Sequence, residues 1–278
     1  MRSLRHYFPL KKLLKHVGLA RSTFYWHISN PKRDKHEDTK RLIEKIFEES
    51  RQAYGYRRIT YALRKHGVFL NRKTVAKLMS ELGLRAKGRR KRKYSSYKGQ
   101  VGKIAPNLLK RDFKSTHPLR KLTSDVTQFN VGQHKVYLSP LIDMYNGEVI
   151  SWSVSKSPTV EFTLKMLRDA EPLLRDTSAI IHTDQGFQYQ NKRWQKQIVD
   201  LNCIQSMSRK GNCLDNAPAE SFFGHLKREF SDGSDYDHPT RFIRDLNKWI
   251  RWYNSDRIKG SLDGMSPVEY RLSKASLT

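Results

Sequence analysis

The stretch Lys135-Val-Tyr-Leu-Ser-Pro-Leu-Ile-Asp-Met-Tyr-Asn-Gly-Glu-Val-Ile-Ser-Trp-Ser-Val154 decides the class of fold. Residues 135–145 and 148–154 are rich in β-branched, aromatic and aliphatic side chains, which suit a pleated, half-buried surface. Between them, Asn146-Gly147 is a tight-hairpin dipeptide, because both residues accept a positive φ. A hairpin makes its strands antiparallel, so the sheet is not wholly parallel. Upstream, Leu122–Val131, rich in Thr, Val and Phe, reads as one more strand. Downstream, Ser157-Pro158 precedes a helix through Leu174 that exposes Lys165 and Arg168. Ala179–Thr183 is a short buried strand, a helix follows over Asn191–Leu201, and Ile204–Met207 is a fifth strand. Asp215-Asn216-Ala217-Pro218 opens a further helix, with Asp215 and Asn216 as its caps and proline near the first position. These elements predict an α/β core, a mixed sheet with helices on its faces.

The residues before this core are of another kind. Leu10–Val17 is helical in pattern, Gly18 breaks it, and Leu19–His27 starts a second helix with Ser22 or Thr23 near its amino end, a short helix-turn-helix. Leu42, Ile43, Ile46 and Phe47 recur at helical spacing over residues 38–51, and Arg57–His66 is another helix. Asn71 caps the next, whose apolar stripe is Val75, Leu78, Met79 and Leu82 and which Gly83 ends. Its exposed face carries Arg72, Lys73 and Lys77, the candidate DNA contacts of a second helix-turn-helix-like unit. Arg85–Tyr94 then holds seven basic residues in ten. Such a segment buries too little to pack, so it reads as a linker whose Arg89, Arg90, Lys91, Arg92 and Lys93 lie along a phosphate backbone.

Charge divides the chain in the same way. Of 278 residues, 54 are Lys or Arg and 27 Asp or Glu, a formal net charge of +27. Residues 1–110 hold 30 of the basic and seven of the acidic groups, whereas residues 111–278 hold 24 and 20. A basic front of this size attracts a polyanion through counterion release, nucleic acid above all. No apolar run approaches the ~18 residues of a membrane span. The amino terminus lacks a signal-peptide stretch, and two cysteines make no disulfide framework, so a cytoplasmic protein is expected. The expected divisions are residues 1–30 and 31–84 for the two helical units, 85–118 for the linker, 119–230 for the core and 231–278 for a C-terminal helical region.

Three carboxylates have a setting that surface acids rarely have. Asp125 lies within the first strand, Asp184 ends the fourth, directly before Gln185-Gly186, and Glu220 lies one turn into the helix opened at Asp215. Carboxylates at strand ends are costly unless a cation accompanies them. Three oxygen ligands on rigid elements suit Mg²⁺ or Mn²⁺, and two such ions serve phosphodiester chemistry, hydrolytic or strand-transferring. Asp143, in Leu141-Ile-Asp-Met-Tyr145, reads as a structural acid. His182 is near the site, but beside Cys203 and Cys213 it makes no zinc constellation. Trp249, Trp252 and Tyr253 read as core.

Ser124-Asp125-Val-Thr-Gln-Phe129, His182-Thr-Asp184-Gln-Gly-Phe-Gln-Tyr189 and Asn216-Ala-Pro-Ala-Glu220-Ser-Phe-Phe-Gly-His-Leu-Lys227 resemble the three blocks of the retroviral-integrase-like DDE transposases, most closely the IS-three family of bacterial insertion sequences and its second-reading-frame product. The 35 residues between Asp184 and Glu220 are the family's interval, and Lys227 is the basic residue it carries seven positions after the glutamate. Nearly two helical turns separate Glu220 from Lys227, so one face presents both. Tyr54-Gly-Tyr-Arg-Arg58, Trp252-Tyr-Asn-Ser-Asp-Arg-Ile258 and Gly264-Met-Ser-Pro-Val-Glu-Tyr-Arg271 extend the resemblance to both flanks. It implies an RNase H-like catalytic core behind an all-α DNA-binding region. It also implies Asp125, Asp184 and Glu220 as catalytic ligands of a pair of metal ions, with Lys227 and Asn216 near DNA. The implied reaction is cleavage of insertion-element ends and transfer of the 3′-hydroxyl strand. Implied partners are the terminal inverted repeats and target DNA, further copies of the chain on DNA, and the first-frame protein of the same element, with no membrane. The resemblance also implies a bacterial, nucleoid-associated protein. A DNA-binding regulator with an inactive catalytic fold and a hydrolytic nuclease of RNase H type are the competing readings.

The basic linker generates a direct expectation. With Arg89, Arg90, Lys91, Arg92 and Lys93 changed to Gln, the full chain binds every duplex sequence more weakly. In filter-binding titrations its slope of log K against log[salt] is shallower by about 0.9 for each phosphate that the variant no longer neutralises.

Overall fold

The computed structural model describes residues 3–30, 34–86, 104–209, 213–231 and 233–275. The chain divides into two units, residues 1–42 and 43–278. In the smaller unit, α1 (Leu10–Val17) and α2 (Arg21–Ser29) bury Leu14 and Phe24. Neither Ser22 nor Thr23 caps α2. The helix begins at Arg21 after Ala20, which puts both residues inside its first turn, where their hydroxyls make no cap bond.

Helix α3 (Glu37–Glu49) contributes Ile43, Ile46 and Phe47 to the larger unit's interior, as their spacing predicts. Helices α4 (Tyr56–Lys65) and α5 (Arg72–Glu81) pack there through Ile59, Leu63, Val75, Leu78 and Met79. The Asn71 side chain accepts the Lys73 N–H at 2.9 Å and so caps α5. Arg72, Lys73 and Lys77 are exposed on α5; Arg72 lies over the Tyr61 ring and Lys77 stands 4.0 Å from Glu81. Arg89 to Lys93 lie outside the described residues.

The sheet comprises β1 (Lys121–Ser124), β2 (Thr127–Val131), β3 (His134–Asp143), β4 (Val149–Ser155), β5 (Ile180–Thr183) and β6 (Ile204–Met207). Strand β3 organises it. One edge takes β4, in register from Tyr137↔Ser155 to Leu141↔Ser151, with a bulge before Ile142↔Val149, and Gly147 in the connection has a φ of 74°. The other edge takes β2 along residues 134–138 and β1 along residues 141–143. The single strand expected over 122–131 is therefore two strands on one edge, interrupted at Asp125-Val126. The Asp125 carboxylate accepts the Val126 N–H at 2.7 Å, and a side chain bonded to its neighbouring backbone competes with the ladder. Parallel pairings of β1 with β5 and β5 with β6 complete a mixed sheet.

Alternation along the strands loads both faces. On one, Leu122, Leu141 and Ile181 pack against α6 (Val160–Leu174) and α7 (Lys192–Asp200) through Leu164, Leu167, Trp194 and Ile198. On the other, Phe129, Val136, Leu138 and Ile142 meet α8 (Ala217–Glu229) and α9 (Pro239–Ser255) through Phe222, Leu226, Trp249 and Tyr253. Trp249 and Tyr253 are core, as expected, and Trp152 reaches across to donate to Asn247 at 2.7 Å. The last helix, α10 (Pro267–Ala275), is tied down by Arg271 on Glu148. No helix among the described residues is long and apolar enough to cross a membrane.

Where α8 ends, Glu229 gathers cations from distant segments. Arg257 donates to both its oxygens at 2.6 Å and Arg58 of α4 stands at 3.2 Å, while the Tyr54 hydroxyl accepts the Ile258 N–H at 2.8 Å. Burial alone would raise the Glu229 carboxyl, but the bonds to Arg257 and His225 outweigh it and hold the group well below its ordinary 4.5. Arg257 is only 1% exposed, so removing its partner strands a charge out of water. Glu229→Ala should lower stability by about 3–5 kcal/mol in urea unfolding. The depressed carboxyl fixes the pH dependence. Its stabilisation is complete above the ordinary carboxylate pKa and is lost as pH falls through the folded value, and the variant lacks this acid limb.

Candidate active site

Parallel pairing of β1 with β5 sets Thr123 beside His182. The residues two further on, Asp125 and Asp184, thus leave neighbouring strand ends at the same level. Asp125 stands in the break after β1, whereas the sequence predicts it within a strand. Asp184 likewise turns onto local backbone, accepting the Gly186 N–H at 2.8 Å. A Cβ at Gly186 would stand 2.9 Å from Asp184 Oδ1 and 3.1 Å from Gln188 Oε1, so any side chain there displaces the carboxylate from its present position. Glu220, exposed, lies in the first turn of α8.

The electrostatics tie these groups together. Partial withdrawal from water, then the charges of Asp184 and Glu220, push the Asp125 carboxyl well above its usual range, and the Val126 N–H and the Lys227 ammonium pull it back only in part. Loss of water raises Asp184 against the Gly186 N–H, and raises Glu220 as well. Behind the pair, the Tyr189 hydroxyl lies 3.3 Å from Ser124 Oγ; burial, then the charges of Asp125 and Asp184, push it well above the usual tyrosine range. Among the described residues no three His, Cys, Asp or Glu groups form a ready-made ligand cluster. The chemistry of the Asp125–Asp184 pair nevertheless fits a hard divalent cation. Two neighbouring carboxylates that repel one another and have lost water are relieved by a proton or a metal ion, and oxygen donors suit Mg²⁺ or Mn²⁺.

The other expected residues are distributed around this pair. Lys227 donates to the Gln128 carbonyl at 3.3 Å and stands 5.2 Å from the Phe129 ring centroid, on the broken-strand side of α8. Asn216 is buried, and its Oδ1 accepts from Thr123 Oγ1 at 2.8 Å. The sequence predicts Asp215 and Asn216 as side-chain caps of α8, and neither forms that bond. The Asp215 carboxylate instead receives Arg209, Arg111 and Asn107 at 2.8–3.2 Å, and the Arg209 bonds, against burial, hold it well below the usual range. Asp143 accepts the Leu119 and Tyr145 N–H groups at 2.9 Å, a structural acid as expected. Thr123, Tyr189 and the space at Gly186 escaped the sequence reading. Strand parity was the available signal, since Thr123 lies two residues before Asp125 as His182 lies two before Asp184.

Residues 33–93 match an HTH-like domain, and residues 115–213 and 220–274 each match an integrase core domain. Over 98% of its length the chain is 44% identical to the putative transposase InsK for insertion sequence element IS150 of Escherichia coli K12, covering 96% of that protein. It is 32% identical to transposase InsF for insertion sequence IS3A of the same organism, over 95% of this chain and 94% of the relative. Among solved structures, the HTLV-2 integrase catalytic core domain in complex with magnesium is 19% identical, with a TM-score of 0.45 over 56% of this chain and 99% of that one.

Carboxylates that repel one another weaken the fold that holds them. Asp125→Asn should therefore raise the thermal midpoint without metal by about 2–4 °C, roughly 1 kcal/mol. Mg²⁺ raises the midpoint of the unchanged chain in the same calorimetric scan and leaves that of the variant where it was.

Proposed function

The chain belongs to the insertion-sequence transposases with an integrase core, and within that DNA transposase we propose that Asp125, Asp184 and Glu220 are the catalytic acids and the ligands of divalent metal ions. The carrying observation is the placement of Asp125 and Asp184 at adjacent parallel strand ends, with the charges of Asp184 and Glu220 both raising the Asp125 carboxyl. Two bound Mg²⁺ or Mn²⁺ ions would activate the attacking oxygen and stabilise the leaving one in an in-line displacement.

The protein's own groups do the rest. Asp125 and Asp184 offer oxygens fixed by their bonds to Val126 and Gly186, and Glu220 completes the set from α8. Lys227, anchored on β2, holds the phosphate beside the scissile bond as a charge-assisted donor. The face of α5 bearing Arg72, Lys73 and Lys77 contacts duplex DNA, and Arg89 to Lys93 add contacts to its phosphates. The substrates are the element's terminal inverted repeats, whose 3′-hydroxyl strands are joined to target DNA. Copies of the chain act together on DNA, with the first-frame protein as a further partner. Residues 1–30 and 31–84 serve DNA binding, 85–118 link them to the core at 119–230, and 231–278 brace it.

A supercoiled donor plasmid carrying element ends, incubated with Mg²⁺, tests this. The unchanged chain yields joined ends; Asp125→Asn, Asp184→Asn and Glu220→Gln yield none while retaining gel-shift affinity. Plain nicks would indicate a hydrolytic nuclease, and DNA bound but uncut would indicate a regulator. Lys227→Ala should slow both cleavage and joining about tenfold, and Lys227→Arg should recover part of the rate. Wild-type turnover of pre-cleaved ends by Lys227→Ala would exclude that residue from the site.

A further inference from the structure

Two residues before each strand acid stands a polar side chain with no exposure at all, and both reach the same dipeptide. Thr123 and His182 are register partners across β1 and β5, each 0% exposed. Thr123 donates its hydroxyl to Asn216 Oδ1, and His182 Nε2 stands 2.8 Å from the Asp215 carbonyl oxygen. A carbonyl only accepts, so Nε2 carries the proton and Nδ1 accepts from Ser206 Oγ at 2.9 Å. That hydroxyl oxygen in turn accepts the Leu108 N–H at 2.9 Å. Asp215 and Asn216 close the 3-10 turn Cys213–Asn216 from which α8 departs, four residues ahead of Glu220. The Asp215 carboxylate is itself clamped by Arg209 and Arg111.

Apolar residues would fill these interior positions without the penalty of desolvating a hydroxyl and an imidazole. A buried polar network whose members are all satisfied selects one arrangement of the segments that carry it. Here those segments include the three that bear the acids, with β6 joined through Ser206. We propose that Thr123, His182 and Asn216 are positioning residues that lock the start of α8 onto the ends of β1 and β5 and so hold Glu220 against Asp125 and Asp184. The role rests on the assignment of those three acids as metal ligands. Asn216 Oδ1 is committed to Thr123, and the contact with DNA expected of this residue would run through its Nδ2 amide.

Mn²⁺ titration of the full chain, followed by the electron paramagnetic resonance of the free ion, reads the role apart from stability and turnover. Thr123→Val keeps the shape and removes the hydroxyl. It should raise the half-saturating Mn²⁺ about tenfold, at the low end of what losing a supporting contact around a metal site costs. Its metal-free thermal midpoint should fall by about 2–4 °C, because the Asn216 oxygen loses its donor, while DNA affinity stays near that of the unchanged chain and joining is reduced in kcat and not in KM for DNA. Thr123→Ser restores Mn²⁺ affinity. His182→Gln, whose amide N–H reaches where Nε2–H did, retains more affinity than His182→Leu. Unchanged Mn²⁺ affinity in both Thr123→Val and His182→Leu, while Asp125→Asn loses it, overturns the positioning role. Unchanged affinity in Asp125→Asn removes the acids themselves, and the positioning role falls with them.

Discussion

The parallel pairing of β1 with β5 is the constraint on which the site depends. It fixes Thr123 opposite His182, and from there the pleat sends every second residue of both strands in a common direction. Neither Asp125 nor Asp184 needs a loop to find the other, since both emerge where hydrogen-bonded strands stop. Each carboxylate then bonds a backbone N–H just beyond its strand. The groups that would carry the chemistry are also the groups that terminate the secondary structure, so their positions are set with backbone precision.

That economy is opposed by electrostatics. Loss of water raises all three carboxyls, and Asp125 is pushed further by the charges of Asp184 and Glu220. The apolar layers on both faces of the sheet supply the excess stability that tolerates the repulsion, with Trp194 on one side and Trp249 on the other both 0% exposed. Close by, Lys227 adds a positive field at Asp125 without cancelling the carboxylates. A site under this tension favours whatever cation relieves it, and cleft residues with raised carboxyls mark such places more generally.

Much of the architecture was legible in the sequence because it follows from local rules. Asn146-Gly147 announced the hairpin, Asn71 the cap of α5, and the aliphatic spacing of 38–51 the helix α3. What was not legible depends on contacts between distant segments. A run such as Leu122–Val131 carries the alternation of one strand, and nothing local reveals that Asp125 will capture the next N–H and split it. Asp215 and Asn216 look like helix caps because that is what Asp and Asn do at helix starts. Arg111, Arg209 and Thr123 outcompete the local bond only once the sheet is assembled. The candidate acids themselves stood out through spacing and context, whereas Thr123 and Tyr189 acquire meaning only from strand parity and from the packing behind the pair.

The ion cluster at Glu229 bears on how such proteins can diversify. Arg58 and Tyr54 belong to the helical segment that carries the candidate DNA-reading face, yet their partners Glu229, Asp256 and Ile258 belong to the catalytic half. Recombination that brought in a new reading head with different residues at 54 and 58 would leave Glu229 and Arg257 to settle their charges without it. Retargeting by exchange of whole modules is thus hindered by a shared joint, while drift at exposed Arg72, Lys73 and Lys77 leaves that joint untouched. New specificities in this lineage should accumulate residue by residue on the outer face of α5, with head and core inherited as one piece.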